Sequence, residues 1–221
     1  MNHNLSRFEV SGKTFGQAVF GGILFLSMIV PLIFSTAFYS YSTPKLVILQ
    51  VGIVLLAVLW VVGMVLDGEI FLIDTPLYFI FFAFLAVHLI SLFQSYNVFR
   101  GLDALFQYVC YFLIPVVVFH TVRSKRQLLL LAGVMALTGT IVATIGLLQY
   151  NGVYKFSYPW NVPVSTIGNV NFVAEYYNVV FPISLVLILA YKNILLKCAA
   201  VLACFLMACH LVVLGSRGGW L

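Results

Sequence analysis

Two short stretches hold most of the side chains that could do chemistry. STIGNVNFVAEYYNVVFP runs from Ser165 to Pro182, and LGSRGGWL closes the chain from Leu214 to Leu221. In the first, Asn171, Glu175, Asn178 and Pro182 are spaced 4, 3 and 4 residues apart, which puts them on one face of a helix. Asn171 is well placed to cap that helix, and Glu175 then lies near its positive dipole end. In the second stretch Arg217 ends an apolar run and is flanked by Gly215, Gly218 and Gly219. A guanidinium there suits an oxyanion held through two oxygens, and the glycines let backbone approach a bulky group or simply end a helix. A third stretch, YSTPK, ends on Lys45.

These groups sit in a chain of 221 residues that is 63% hydrophobic and 8% charged, with a mean hydropathy of +1.13. Soluble domains carry about 25% charged residues, so this composition is that of an integral membrane protein. Apolar windows fall at 17–38, 46–66, 77–94, 104–120, 128–150, 172–191 and 198–214. Each is near the length at which a helix crosses the hydrocarbon core, and the fold class expected is all-α, a polytopic bundle of about seven spans. Residues 1–16 read as a cytoplasmic tail and 17–221 as the transmembrane domain. The first window is too long for a signal-peptide core and reads as a retained span.

Lysine and arginine counts give the orientation. With the N-terminus inside, the inner segments hold Arg7, Lys13, Arg123, Lys125, Arg126, Lys192 and Lys197, and the outer ones hold Lys45, Arg100, Lys155 and Arg217. The excess on one side favours a cytoplasmic N-terminus. Lys45, Arg100 and Arg217 border the outer ends of spans. A cation at that depth needs an anion, a headgroup or a snorkelling path, and lipid phosphate suffices for any one of them.

The same logic applies to Glu175 and the amides. An ionised group at helix-centre depth costs roughly 3 kcal/mol, so the stripe is expected to face the bundle interior or a wet cavity, or to be used in capping and interhelical bonds. His88, Ser91 and Ser95, the pair Asp103 and Gln107, and the lone His210 are weaker signals that packing explains. His210 and Arg217 would share a face only if the seventh helix ran past Gly215.

Several chemistries find no support. There is no HExxH, GxSxG, P-loop, GxGxxG or paired CxxC pattern, and no His and carboxylate cluster with metal-ligand spacing. Cys110, Cys198, Cys204 and Cys209 lie inside apolar runs as packing residues. The net charge of +5 comes from cations scattered singly between spans, which fits topology and anionic lipid rather than nucleic acid.

Taken together, YSTPK before the second span, STIGNVNFVAEYY opening the sixth and LGSRGGWL closing the seventh resemble the O-antigen ligase and polymerase superfamily. In that family a GNxN followed by an aromatic and a nearby Glu, and an SRG followed by a small residue and Trp, recur in this order. The resemblance implies a membrane glycosyltransferase of the bacterial inner membrane. Such an enzyme moves a glycan from undecaprenyl diphosphate to a hydroxyl of lipid A core, another glycan or a protein on the periplasmic face. It implies that Arg217 binds the donor diphosphate and that Asn169, Asn171 and Glu175 shape the sugar-side cavity; Arg100 and Lys45 are further diphosphate candidates by their place at the outer face, and Asn178 is a cavity-lining candidate by sharing the face of Glu175. Charge developing on the departing diphosphate would be met by fixed cations, so no cofactor or metal is expected.

The family has a large periplasmic loop beyond the region matched here. The chain is therefore expected to be the N-terminal part of the fold, and none of its residues is assigned as the acceptor-activating base. A transporter or permease, built on a polar stripe along broken helices, is the alternative reading, and an inactive truncated fragment is another.

Overall fold

Long apolar runs leave the backbone no water to bond, so the chain satisfies its amides within helices. The computed structural model describes residues 2–35, 41–68, 75–153 and 162–216, with side chains from Thr14 onward, and among them there are helices and no strands. They are α1 (Asn2–Leu32), α2 (Ser42–Asp67), α3 (Leu77–Leu92), α4 (Val98–Thr121), α5 (Lys125–Tyr150), α6 (Val170–Ala190) and α7 (Ile194–Leu214). Six of the described helices are long and apolar enough to cross a membrane, and α3 is a shorter apolar helix of 16 residues. The architecture is that of a multi-pass helical membrane protein.

Helix ends depart from the apolar windows wherever a local cap decides the boundary. α1 starts at Asn2, so the expected tail 1–16 belongs, from Asn2 on, to the first helix. No proline interrupts 2–15 to stop it. α4 starts at Val98 instead of 104, because the Asn97 side chain accepts the Arg100 amide at 3.2 Å. α7 starts at Ile194 instead of 198, capped by Asn193 through the Leu195 amide at 2.8 Å. α5 opens on a capping box in which Ser124 and Gln127 bond each other's backbone.

The chain divides into two compact units. One contains residues 1–23 and 49–123, and the other contains residues 24–48 and 124–221. In the first, Val19 and Ile23 of α1 are buried, as are Ile53 and Leu56 of α2, with Gly22 beneath the Leu56 side chain. α3 buries no residue and meets α4 through rings, Phe81 against Phe112 at 4.8 Å and Phe84 against Tyr108 at 5.2 Å. His88 belongs to this aromatic seam: its Nδ1 donates to the Phe84 carbonyl at 2.9 Å and its ring lies 4.5 Å from Tyr108. Gln107 donates to the Tyr111 hydroxyl at 2.6 Å.

In the second unit α5, α6 and α7 pack pairwise on one another. α5 turns a face of small residues inward, Ala136, Gly139, Ala143 and Gly146, which lets the neighbouring backbones come close. Val142, Val173, Tyr177, Val180 and Met207 fill the space above that face. A Cβ built on Gly139 would stand 2.9 Å from both Met207 Sδ and Val180 Cγ1.

Overpacking such a contact costs about 1–3 kcal/mol. Gly139→Leu should therefore lower the thermal unfolding midpoint in detergent, whereas Gly21→Leu, where a Cβ meets nothing within 4 Å, should leave it unchanged. Equal midpoints for the two variants would mean that the small face of α5 is not close-packed.

Candidate functional site

α6 does not begin at the end of a solvated loop. The residues before it, Pro163 to Thr166, are buried without being helical. Irregular backbone buried among apolar helices persists where protein supplies hydrogen bonds, and several are seen here. The Ser165 amide donates to Gln149 Oε1 at 2.7 Å, and Ser165 Oγ donates to the Val142 carbonyl of α5 at 2.6 Å. Thr166 Oγ1 donates to the Pro31 carbonyl at the end of α1 at 2.8 Å. His210 of α7 donates from Nε2 to the Pro163 carbonyl at 2.7 Å.

A carbonyl only accepts, so Nε2 carries the imidazole proton and Nδ1 accepts from the Tyr177 hydroxyl at 2.6 Å. Ser165 has a φ of 53°, a left-handed conformation that costs a non-glycine residue about 1–2 kcal/mol. Its bonds to α5 hold it there. Gly168, with a φ of 87°, has Tyr41 against its Cα, and a Cβ would come within 2.7 Å of the ring.

The expected cap of α6 is corrected by two residues. Asn169, rather than Asn171, is the N-cap, with its Oδ1 accepting the Asn171 amide at 2.8 Å and the Phe172 amide at 3.4 Å. Asn169 has the extended backbone that a cap needs, with φ −147° and ψ 136°, whereas Asn171 is already helical. Asn171 instead accepts a hydrogen bond on its own Oδ1 from Ser216, 3.2 Å away and just past the end of α7.

Asn171, Glu175, Asn178 and Pro182 share a face, as their spacing predicts, and all four are exposed rather than buried against α5 and α7. The inward face of α6 is taken by Val173, Ala174, Tyr177, Val180, Ser184 and Leu187, which pack against α5 and α7. Asn178 and Pro182 line a groove of about 370 Å³ between α6 and α7, with Phe181, Met207 and Leu211 opposite and beside them.

Lys45 is half-buried in the first turn of α2 and donates from Nζ to the carbonyls of Val30 at 3.2 Å, Pro31 at 3.0 Å and Ile33. These lie at the C-terminal end of α1, where carbonyls lack helical partners and the dipole is negative. An ammonium has three protons, and three acceptors meet it. Arg100 is exposed in the first turn of α4 and belongs to the other unit. Arg217 lies outside the described residues, as does Lys155. α7 ends at Leu214 because Gly215 turns left-handed at φ 66°, so His210 and Arg217 are not on one continuous helix.

Sequence reasoning passed over Pro163, Ser165, Thr166 and Gln149, and treated His210 as a lone packing residue. The one available signal was the stretch VPVSTIG, uncharged and half apolar inside what otherwise reads as a loop. Among the described residues no group of three or more His, Cys, Asp or Glu side chains could hold a metal ion. Set against known proteins, the chain matches no family model, no curated protein and no solved structure.

Removing a cap of this kind costs about 1 kcal/mol. Asn169→Ala should speed hydrogen exchange at the Asn171 and Phe172 amides, and Asn171→Ala should leave the Phe172 amide as it is. For Lys45, replacement by Met strands three carbonyls at a loss of about 1–3 kcal/mol, visible as a lower unfolding midpoint in detergent. An unchanged midpoint would show that the ammonium does not hold the end of α1.

Proposed function

We propose that this chain supplies the donor-binding end of a membrane glycosyltransferase of the O-antigen ligase type. The enzyme transfers a glycan from undecaprenyl diphosphate to a hydroxyl of lipid A core, another glycan or a protein, at the periplasmic face of the bacterial inner membrane. One observation carries this reading. The three motifs that suggest it are separated by more than a hundred residues in part, yet they meet at one end of the second unit. Tyr41 of YSTPK packs on Gly168 of STIGNVN. Lys45 and Thr166 share the Pro31 carbonyl. Ser216 of LGSRGG bonds Asn171.

The chemistry follows from what such a cluster offers. When a lipid diphosphate leaves a sugar C1, the C1–O bond breaks, negative charge gathers on phosphate oxygens, and an acceptor hydroxyl forms the new bond. A guanidinium fixed in a low-dielectric site stabilises that charge and can hold two oxygens at once. Arg217 follows directly on Ser216, whose bond to Asn171 ties the end of α7 to the start of α6, and it is the first candidate for the diphosphate. Lys45 has its three protons committed to α1, so its part in this reading is to hold the corner. Arg100 is the further candidate cation. Asn169, Asn171, Glu175 and Asn178 supply polar groups for the sugar side, and the base that activates the acceptor is not assigned to any residue of this chain.

The test is Arg217→Lys in a protein that contains this chain and carries out the transfer. Transfer of labelled glycan from polyprenyl diphosphate should fall on the order of 10²-fold, as when one preorganised donor is removed, while the membrane level of the protein stays constant. Undiminished transfer would strike Arg217 from the mechanism. Labelling of a cysteine at position 217 by an impermeant thiol reagent from the cytosolic side would sink the reading as a whole.

A further inference from the structure

We propose that His210 and Tyr177, with Gly146 leaving room for the imidazole, form a hydrogen-bonded lock that positions the Pro163–Thr166 turn, making His210 a positioning residue for the candidate site. The inference rests on the function above only for what the turn serves; the lock is argued from geometry alone.

His210 is fully buried near the C-terminal end of α7, and both ring nitrogens are used. Nε2 gives the Pro163 carbonyl its donor across 47 residues of sequence, and Tyr177, also buried, fixes the ring by donating to Nδ1. The ring reaches the carbonyl because α5 has a glycine beneath it. A Cβ on Gly146 would overlap Nε2 and Cε1, the edge that makes the bond, and would stand 2.7 Å from Cδ2. Pro163 has no amide proton, so its carbonyl is the backbone handle this residue offers. The turn continues through Ser165 in its left-handed conformation to Thr166 on α1 and then to the Asn169 cap of α6. Loosening Pro163 therefore loosens the path on which the GNVN residues are set. A histidine that reads from the sequence as a packing residue thus acts with Tyr177 and Gly146 as one device.

The experiment reads protection, not catalysis. In the full chain with Cys110, Cys198, Cys204 and Cys209 replaced by alanine, a reporter cysteine is placed at Val164, 3% exposed, or at Ala200, 4% exposed and in a separate cluster with Ala136 and Leu187. Both are treated in detergent with a small methanethiosulfonate. Against the lock intact, Gly146→Ala and His210→Ala should each raise the labelling rate at 164 about tenfold by local opening, with the rate at 200 unchanged.

Combining Gly146→Ala with His210→Ala refills the space but does not return the donor, so labelling at 164 should stay as high as in His210→Ala alone. The proposal is overturned by an unchanged rate at 164, by equal rises at both positions, or by regained protection in the double variant. Since no glycan is involved, a chain without transferase activity leaves the measurement intact.

Discussion

A stretch of backbone that is neither helix nor strand, sunk among apolar helices, must find a partner for every polar atom it carries. Pro163 to Thr166 is held from three helices, by the Gln149 side chain and the Val142 carbonyl on α5, by His210 on α7, and by the Pro31 carbonyl on α1. The arrangement of the second unit follows from it. α5 needs glycine at 146 and small residues along one face, α6 must start where Asn169 can cap it, and α7 must bring a donor to a proline that has only a carbonyl to offer.

The end of α1 shows the same economy. Pro31 sits in the last turn, and the carbonyls around it are left without amide partners by the helix end. Lys45 and Thr166, from before and after the long run of intervening helices, both bond there. A single set of part-buried acceptors thereby joins the first two helices to the turn before the sixth. In lipid, where hydrophobicity gives helices little reason to associate, such bonds and close small-residue contacts decide which helices stay together.

The sequence made the helices legible because length and apolarity alone identify a span, and seven windows correspond to seven described helices. The Gly215 stop could be anticipated because a left-handed helix end favours glycine. The faces of α6 were not legible. In a membrane bundle both the packed and the lipid-facing sides are apolar, so a periodic polar stripe shows which residues align and leaves open which way they point. Asn169 and Asn171 are equally good caps by type, and only backbone conformation separates them. The buried turn was hidden for a related reason: serine, threonine and proline suit a solvated loop as well as a turn held by distant partners. His210 pairs with residues 33 and 47 positions away, a relation that no local spacing encodes.

The shortness of α3 bears on the lipid around the first unit. Sixteen residues extend about 24 Å, against roughly 30 Å of hydrocarbon, while its partner α4 has 24 residues and ample length. Because α3 buries nothing, its mismatch falls on acyl chains rather than on protein. Leaflets that wet this pair must pinch inward beside α3 or let α4 lean, each at a fraction of a kcal/mol per ångström. The aromatic seam from Phe81 to His88 would then ride with α4 as the sheet of lipid deforms, and bilayers of shorter acyl chains would be the ones in which this pair rests with least distortion.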